Sequence, residues 1–154
     1  KIAQNWALSK FASLGVEGEA SDYLNNERRF FNQIDVVRTR IPGTNTNVDA
    51  LLVGSGNIAN PKESTVEGQN KFFMVYDYNT FPIDQAEADA QTTIIVSHLA
   101  NASEKNNSGY TNNDVQEEIR DDSKKGWYWN MLANEKIVSS GRVLPVKEII
   151  PLIS

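Results

Sequence analysis

KFFMVYDYNTF, residues 71–81, decides the fold. Side chains alternate along an extended chain, so Phe72, Met74, Tyr76 and Tyr78 share one face, and Phe73, Val75 and Asp77 the other. Both faces are apolar as far as Asp77. That places the stretch inside a sheet rather than at its edge. QTTIIVSHL, residues 91–99, is the second run where β-branched residues crowd together, and it reads as the neighbouring strand.

Working outward, Ile34–Ile41 (IDVVRTRI) alternates like a strand, Pro42-Gly43 with Thr44–Asn47 makes a turn, and Val48–Val53 (VDALLV) returns as a hairpin partner. Gly54–Gly68 reads as a loop. Lys125–Leu132 (KGWYWNML) is an aromatic strand, and Asn134-Glu135 a turn. Lys136–Ser139 and Arg142–Val146 read as short strands. Ala100–Asn113 has no apolar periodicity and reads as an exposed loop. Asn79–Asp89, with Pro82 and an acidic run, is a short helix or an irregular excursion.

The N-terminal third reads differently. Ile2, Ala3, Trp6, Ala7, Phe11 and Leu14 recur at three- and four-residue spacing, which predicts a helix over Lys1–Leu14 stopped by Gly15. A second helix is expected over Ala20–Gln33, with Asp22 and Glu27 early and Arg28-Arg29 late. Asp114–Asp122 predicts a further short helix capped by Asn112 or Asn113. The expected fold is therefore α+β: two N-terminal helices packed on one face of a mostly antiparallel β-sheet, with one further short helix, in a single domain over residues 1–154.

The chain of 154 residues suffices for one core. Its net charge of −5, with no basic run longer than two residues, gives no electrostatic footprint for nucleic acid. The absence of cysteine removes disulfides, thiolate nucleophiles and cysteine metal ligands. It also fits an exported protein that avoids stray thiols, extracellular or periplasmic, or a virion component, although small cytosolic proteins often lack cysteine too. No apolar run reaches transmembrane length. Lys1 is expected to follow a removed leader or membrane segment, or to be a trimmed end.

The lone histidine, His98, ends an expected strand and reads as a satisfied side chain. Ser97 beside it points to the opposite face. Asp84, Glu87 and Asp89 with Asp77 read as solvated acidic groups, with weak cation binding as the sharper alternative. One histidine and no cysteine disfavour zinc. Gly54-Ser55-Gly56 lacks the spacing and following helix of a phosphate-cradling turn. Asn101-Ala102-Ser103 and Asn106-Asn107-Ser108 match the glycosylation acceptor pattern. No catalytic residue, cofactor or metal ligand is assigned.

Trp127 and Trp129 are expected on one face of their strand and Tyr128 on the other. They read first as core and second as an exposed binding surface. Fragments YDY (76–78), GWYW (126–129) and GRVLPVKEI (141–149) resemble Src-homology peptide-binding domains in passing. The long insert between Tyr78 and Gly126 departs from that pattern, so no property is carried over. A helix ahead of a sheet resembles pilin-like subunits without their membrane segment, which implies an assembly role.

The expected function is a non-catalytic structural or assembly protein: the soluble domain of a bacterial surface or secretion-machine component, or a virion or tail subunit. It would self-associate or hold a protein partner, with Trp6, Phe11, Trp127 and Trp129 as the interaction surface, and with no nucleic-acid partner. The alternatives are a small carboxylate-based hydrolase using Asp77, Asp84 or Glu87 with His98, and a peptide- or glycan-binding module using Trp127–Trp129.

Overall fold

The structure is a computed structural model that describes residues 9–16, 27–41, 43–66, 69–78, 84–103, 117, 119–121 and 123–139. Its centre is a five-stranded sheet. In chain order the strands are β1 (Ala12–Ser13), β2 (Asp35–Arg40), β3 (Asn47–Gly54), β4 (Lys71–Asp77), β5 (Ile94–Ile95), β6 (Ala100–Asn101) and β7 (Gly126–Asn130). The large sheet runs β2-β3-β4-β7-β6, and β1 pairs with β5 in a separate two-stranded ribbon.

The alternating pattern at 34–53 closes as the expected hairpin. β2 and β3 pair antiparallel from Arg40↔Asn47 to Asp35↔Leu52. β4 lies inside the sheet, as its two apolar faces require, between β3 and β7, both antiparallel to it. Within this five-stranded sheet only β6 departs from antiparallel pairing, lying parallel to β7.

The alternation of β4 divides the sheet into two faces. Phe73, Val75, Val53 and Tyr128 lie on one, here the Phe73 face; Phe72, Met74, Tyr76, Trp127 and Trp129 lie on the other, the Trp face. On the Phe73 face, Leu14, Val53, Phe73, Val75, Ile94, Val96 and Leu99 form a buried cluster. On the Trp face, toward β2, a smaller cluster holds Ile41, Val48, Ala50 and Tyr76.

Two helices packed on the sheet are not what the structure shows. Residues 9–16 are extended: β1 pairs parallel with β5, Ile94 N–H donates to Phe11 O (3.0 Å), and Thr93 Oγ1 donates to Lys10 O (3.2 Å). These carbonyls bond across to another segment rather than up a helix, and Phe11 and Leu14 reach the core from an extended chain instead. Residues 1–8 of that expected helix lie outside the described residues. The second expected helix fails over 27–33, where the chain is again non-helical. Arg28 N–H donates to Gly15 O (2.7 Å) and Gly56 N–H donates to Arg29 O (2.8 Å), so backbone groups are again satisfied across the fold. The remainder, 20–26, lies outside the described residues.

The 91–99 run is corrected too. Only Ile94–Ile95 is strand, followed by a 3-10 turn over Val96–His98. The run is not the neighbour of β4. It covers the Phe73 face, giving Ile94, Val96 and Leu99 to the cluster. The acidic stretch resolves into helix α1 (Gln85–Ala90). Glu117, Ile119 and Arg120 are helical where the last short helix was expected. Residues 136–139 form no strand. Ile137 N–H donates to Ser55 O (3.0 Å), and the segment crosses Gly54 and Gly56 so closely that a Cβ at Gly54 would stand 2.5 Å from the Ile137 side chain. The turn at Asn134 forms as expected, with φ +64°. Arg142–Val146 lies outside the described residues.

Two buried cations tie the loops to the sheet. Arg28, 5% exposed, donates through Nε to Gln69 O (2.7 Å) and through Nη1 to Leu14 O (3.3 Å). Lys71, equally buried, donates to Asn130 Oδ1, its cross-strand neighbour, and stands 4.8 Å over the Tyr128 ring. Charges taken from water must recover their hydration through such partners.

Candidate functional site

The aromatic strand carries the most exposed aromatic surface of the sheet. Trp127 and Trp129 share a face and Tyr128 takes the other, as alternation dictates. Tyr128 faces inward, its ring 6.3 Å from that of Phe73. Trp127 is half-buried: it packs against the smaller cluster and lies 6.1 Å from the Phe72 ring. Trp129, cross-strand neighbour of Phe72, is 41% exposed. Phe72 and Met74 beside them are half-buried. The result is a continuous aromatic patch on a rigid strand pair. Of the other residues expected at an interaction surface, Phe11 is half-buried against the Phe73-face cluster, and Trp6 lies outside the described residues.

Gly126 makes this geometry possible. Its φ of +135° is open to glycine alone, and a Cβ there would stand 2.1 Å from Met74 O. The close approach lets β7 enter the sheet with its tryptophans in register with Phe72 and Met74.

Two of the carboxylates of the hydrolase alternative, Asp84 and Glu87, are engaged in a helix cap. Asp84 accepts from Glu87 N–H (2.9 Å), and Glu87 Oε2 accepts from Asp84 N–H (3.1 Å), a reciprocal cap on α1. Asp77 lies opposite Asp49, which Arg38 engages at 3.0 Å. Among the described residues no group of three or more His, Asp or Glu stands close enough to hold a metal ion. His98 lines a hollow of about 370 Å³ together with Ser97, Ser123, Lys124 and Lys125, and no described carboxylate borders it.

A second, polar cleft of about 220 Å³ is lined by Glu27, Arg29, Asn57, Glu63, Thr65 and Asn70. Its amides are spent on the loop itself. Asn57 Nδ2 donates to Glu63 (2.9 Å), Ser55 Oγ donates to Asn70 Oδ1 (3.2 Å), and Asn70 Nδ2 donates to Glu135 O (3.1 Å). Thr65 Oγ1 alone, among the described buried side-chain polar atoms, has no partner. The Gly54-Ser55-Gly56 turn offers no anion cradle: Ser55 N–H and Gly56 N–H are given to Lys71 O and Arg29 O.

Sequence reasoning placed Arg28 late in an expected helix and Lys71 at the start of the central strand without singling out either as a buried tie, because nothing local marks a cation for burial. The cap on α1 was readable as Asp84-x-x-Glu87 ahead of an alanine-rich stretch. The acceptor Asn101 sits half-buried in β6, its Oδ1 accepting from Ser103 N–H (3.0 Å). No helix among the described residues is long and apolar enough to cross a membrane. The element order behind the pilin-like resemblance, a helix leading into a sheet, is absent from the described residues. Comparison of this chain with protein-family models, curated proteins and solved structures finds no match.

Proposed function

We propose that this chain is an assembly protein that associates with a second copy of itself through the aromatic patch of the Trp face. One observation carries the reading: Trp129 is 41% exposed and flanked on one rigid sheet face by the half-buried rings of Phe72 and Trp127. Large aromatic surface held out in water by a rigid scaffold favours protein contact, and tryptophan is over-represented among residues that dominate binding energy. The patch is self-complementary in kind, offering flat rings and a Met74 side chain to an identical surface. The Asp84–Glu87 cap supports the same reading from the other side, because it assigns those carboxylates a structural task.

The test is sedimentation equilibrium from micromolar to millimolar protein. A concentration-dependent dimer is expected, with the Trp129→Ser chain dissociating at least tenfold more readily, about the effect of one interface anchor. A strict monomer across that range overturns the proposal, as does a dimer indifferent to Trp129→Ser.

A further inference from the structure

The hollow around His98 has a chemistry unlike the rest of this acidic chain. Lys124, Lys125, His98, Ser97 and Thr92 line it, with the buried side chain of Ile94 as an apolar part of the wall. We infer that it is a binding site for a small phosphate monoester.

Three features support this. First, the walls are tied together by backbone: Lys125 N–H donates to His98 O (2.9 Å), joining the two segments that form them. Second, His98 Nδ1 accepts from Ile95 N–H (3.4 Å), so in the neutral ring the proton sits on Nε2, which is left as a donor. Third, the two lysines bring two positive charges to a hollow that no described carboxylate lines, in a chain of net charge −5. Two ammonium groups, an imidazole N–H and two hydroxyls match the charge and acceptor oxygens of a phosphate monoester dianion. The volume exceeds what a bare oxyanion fills, and Ile94 gives an organic remainder an apolar contact.

Among the described residues, Asp121 and Lys125 have contacts of their own. Asp121 accepts from Ser123 N–H (2.9 Å) and from the Ser123 hydroxyl, which hold its carboxyl below the usual range with a smaller contribution from Lys124. Ser123 is therefore turned to Asp121 rather than to a ligand. Lys125 Nζ stands 4.8 Å over the Tyr78 ring, which restricts its ammonium without neutralising it.

The probes are glycerol 3-phosphate, inorganic phosphate, inorganic sulfate and, at matched ionic strength, chloride, followed by titration of the His98 ring signals in a ¹H–¹³C NMR spectrum. Saturable shifts with glycerol 3-phosphate are expected, with weaker binding of phosphate and sulfate and no saturation with chloride. In the Lys124→Gln/Lys125→Gln chain the dissociation constant should rise at least tenfold. Should that chain lose its fold, Thr92→Val/Ser97→Ala replaces it, with a rise of about threefold expected. Tighter binding of inorganic phosphate than of glycerol 3-phosphate overturns the organic remainder and hence the proposal. So do shifts equalled by chloride, or an affinity unchanged in a folded variant. Trp129→Ser should leave the titration unaltered, which keeps this site separate from the self-association surface.

Discussion

The two faces of the sheet are built from similar residues but finished differently. On the Phe73 face, the extended segment at 11–14 and the turn at 94–99 close over β4, and Phe73 and Val75 are buried to 0% and 2% exposure. On the Trp face, the buried cluster is confined to the β2 side, and Phe72, Met74 and Trp127 remain half-buried beside an exposed Trp129. A single strand thus sends one row of side chains into a sealed core and the next row to a rim. The lesson is that apolar alternation reports that a face is apolar, not what covers it. Segments distant in sequence decide that, and among the described residues they close over one face.

The contrast is broken most severely from the sealed side. Phe73→Ala removes a ring that touches Phe30 and Tyr128 at centroid distances of 6.0 and 6.3 Å. The loss should be roughly 3–5 kcal/mol, read from urea unfolding with an unchanged slope. A loss under 1 kcal/mol would show that the Phe73 face is not the sealed one. Next comes Gly126→Ala. The added Cβ meets Met74 O and the left-handed φ is strained, so a cost on the order of 1–3 kcal/mol is expected by the same assay. It should also disturb Trp127 fluorescence, because the junction with β4 must shift.

Legibility followed the range of the interactions. The β2–β3 hairpin, β4 and β7 were readable because alternation and turn residues are local, and their partners are near in sequence or share the same pattern. The N-terminal helices were misread because Phe11 and Leu14 satisfy a three-residue spacing equally well from an extended segment. What decides their state is the carbonyl of Phe11 accepting from Ile94, over eighty positions away. Similarly, 91–99 has the β-branched composition of a strand but serves as a lid, where only Ile94, Val96 and Leu99 need to reach the core. The patch at Trp127–Trp129 was half legible: the shared face follows from alternation, whereas its exposure depends on which segments arrive from elsewhere. The hollow at His98 was hidden altogether, since its lysines lie more than twenty residues from the imidazole.

A smaller effect tests the inner end of the Trp face. Burial, and then the neighbouring Tyr78, raises the Tyr76 phenol above its ordinary 10.0. The folded chain therefore holds a proton that the unfolded chain releases. Its contribution is complete below pH 10.0 and is lost as pH rises through the unfolded and toward the folded value, with a slope of at most about 1.4 kcal/mol per pH unit. Tyr76→Phe should flatten that part of the alkaline stability curve. An unchanged slope would mean that Tyr76 is not sealed, and that the Trp face is open along its whole length.

The smallest change in stability belongs to Trp129, and it sharpens the comparison most. It pairs with Phe72 across the strands and is 41% exposed, so Trp129→Ser removes little that the folded monomer uses. The expected loss is under about 1 kcal/mol, against several for Phe73→Ala, although both remove an aromatic ring from adjacent strands of one sheet. Association should respond in the opposite order: Trp129→Ser raises the dimer dissociation constant at least tenfold, while conservative changes beneath the sealed face leave it alone. A Trp129→Ser chain that unfolds several kcal/mol sooner would place this ring in the core. The two faces would then differ in their covering segments but not in their purpose, and the aromatic rim would have to be explained by packing alone.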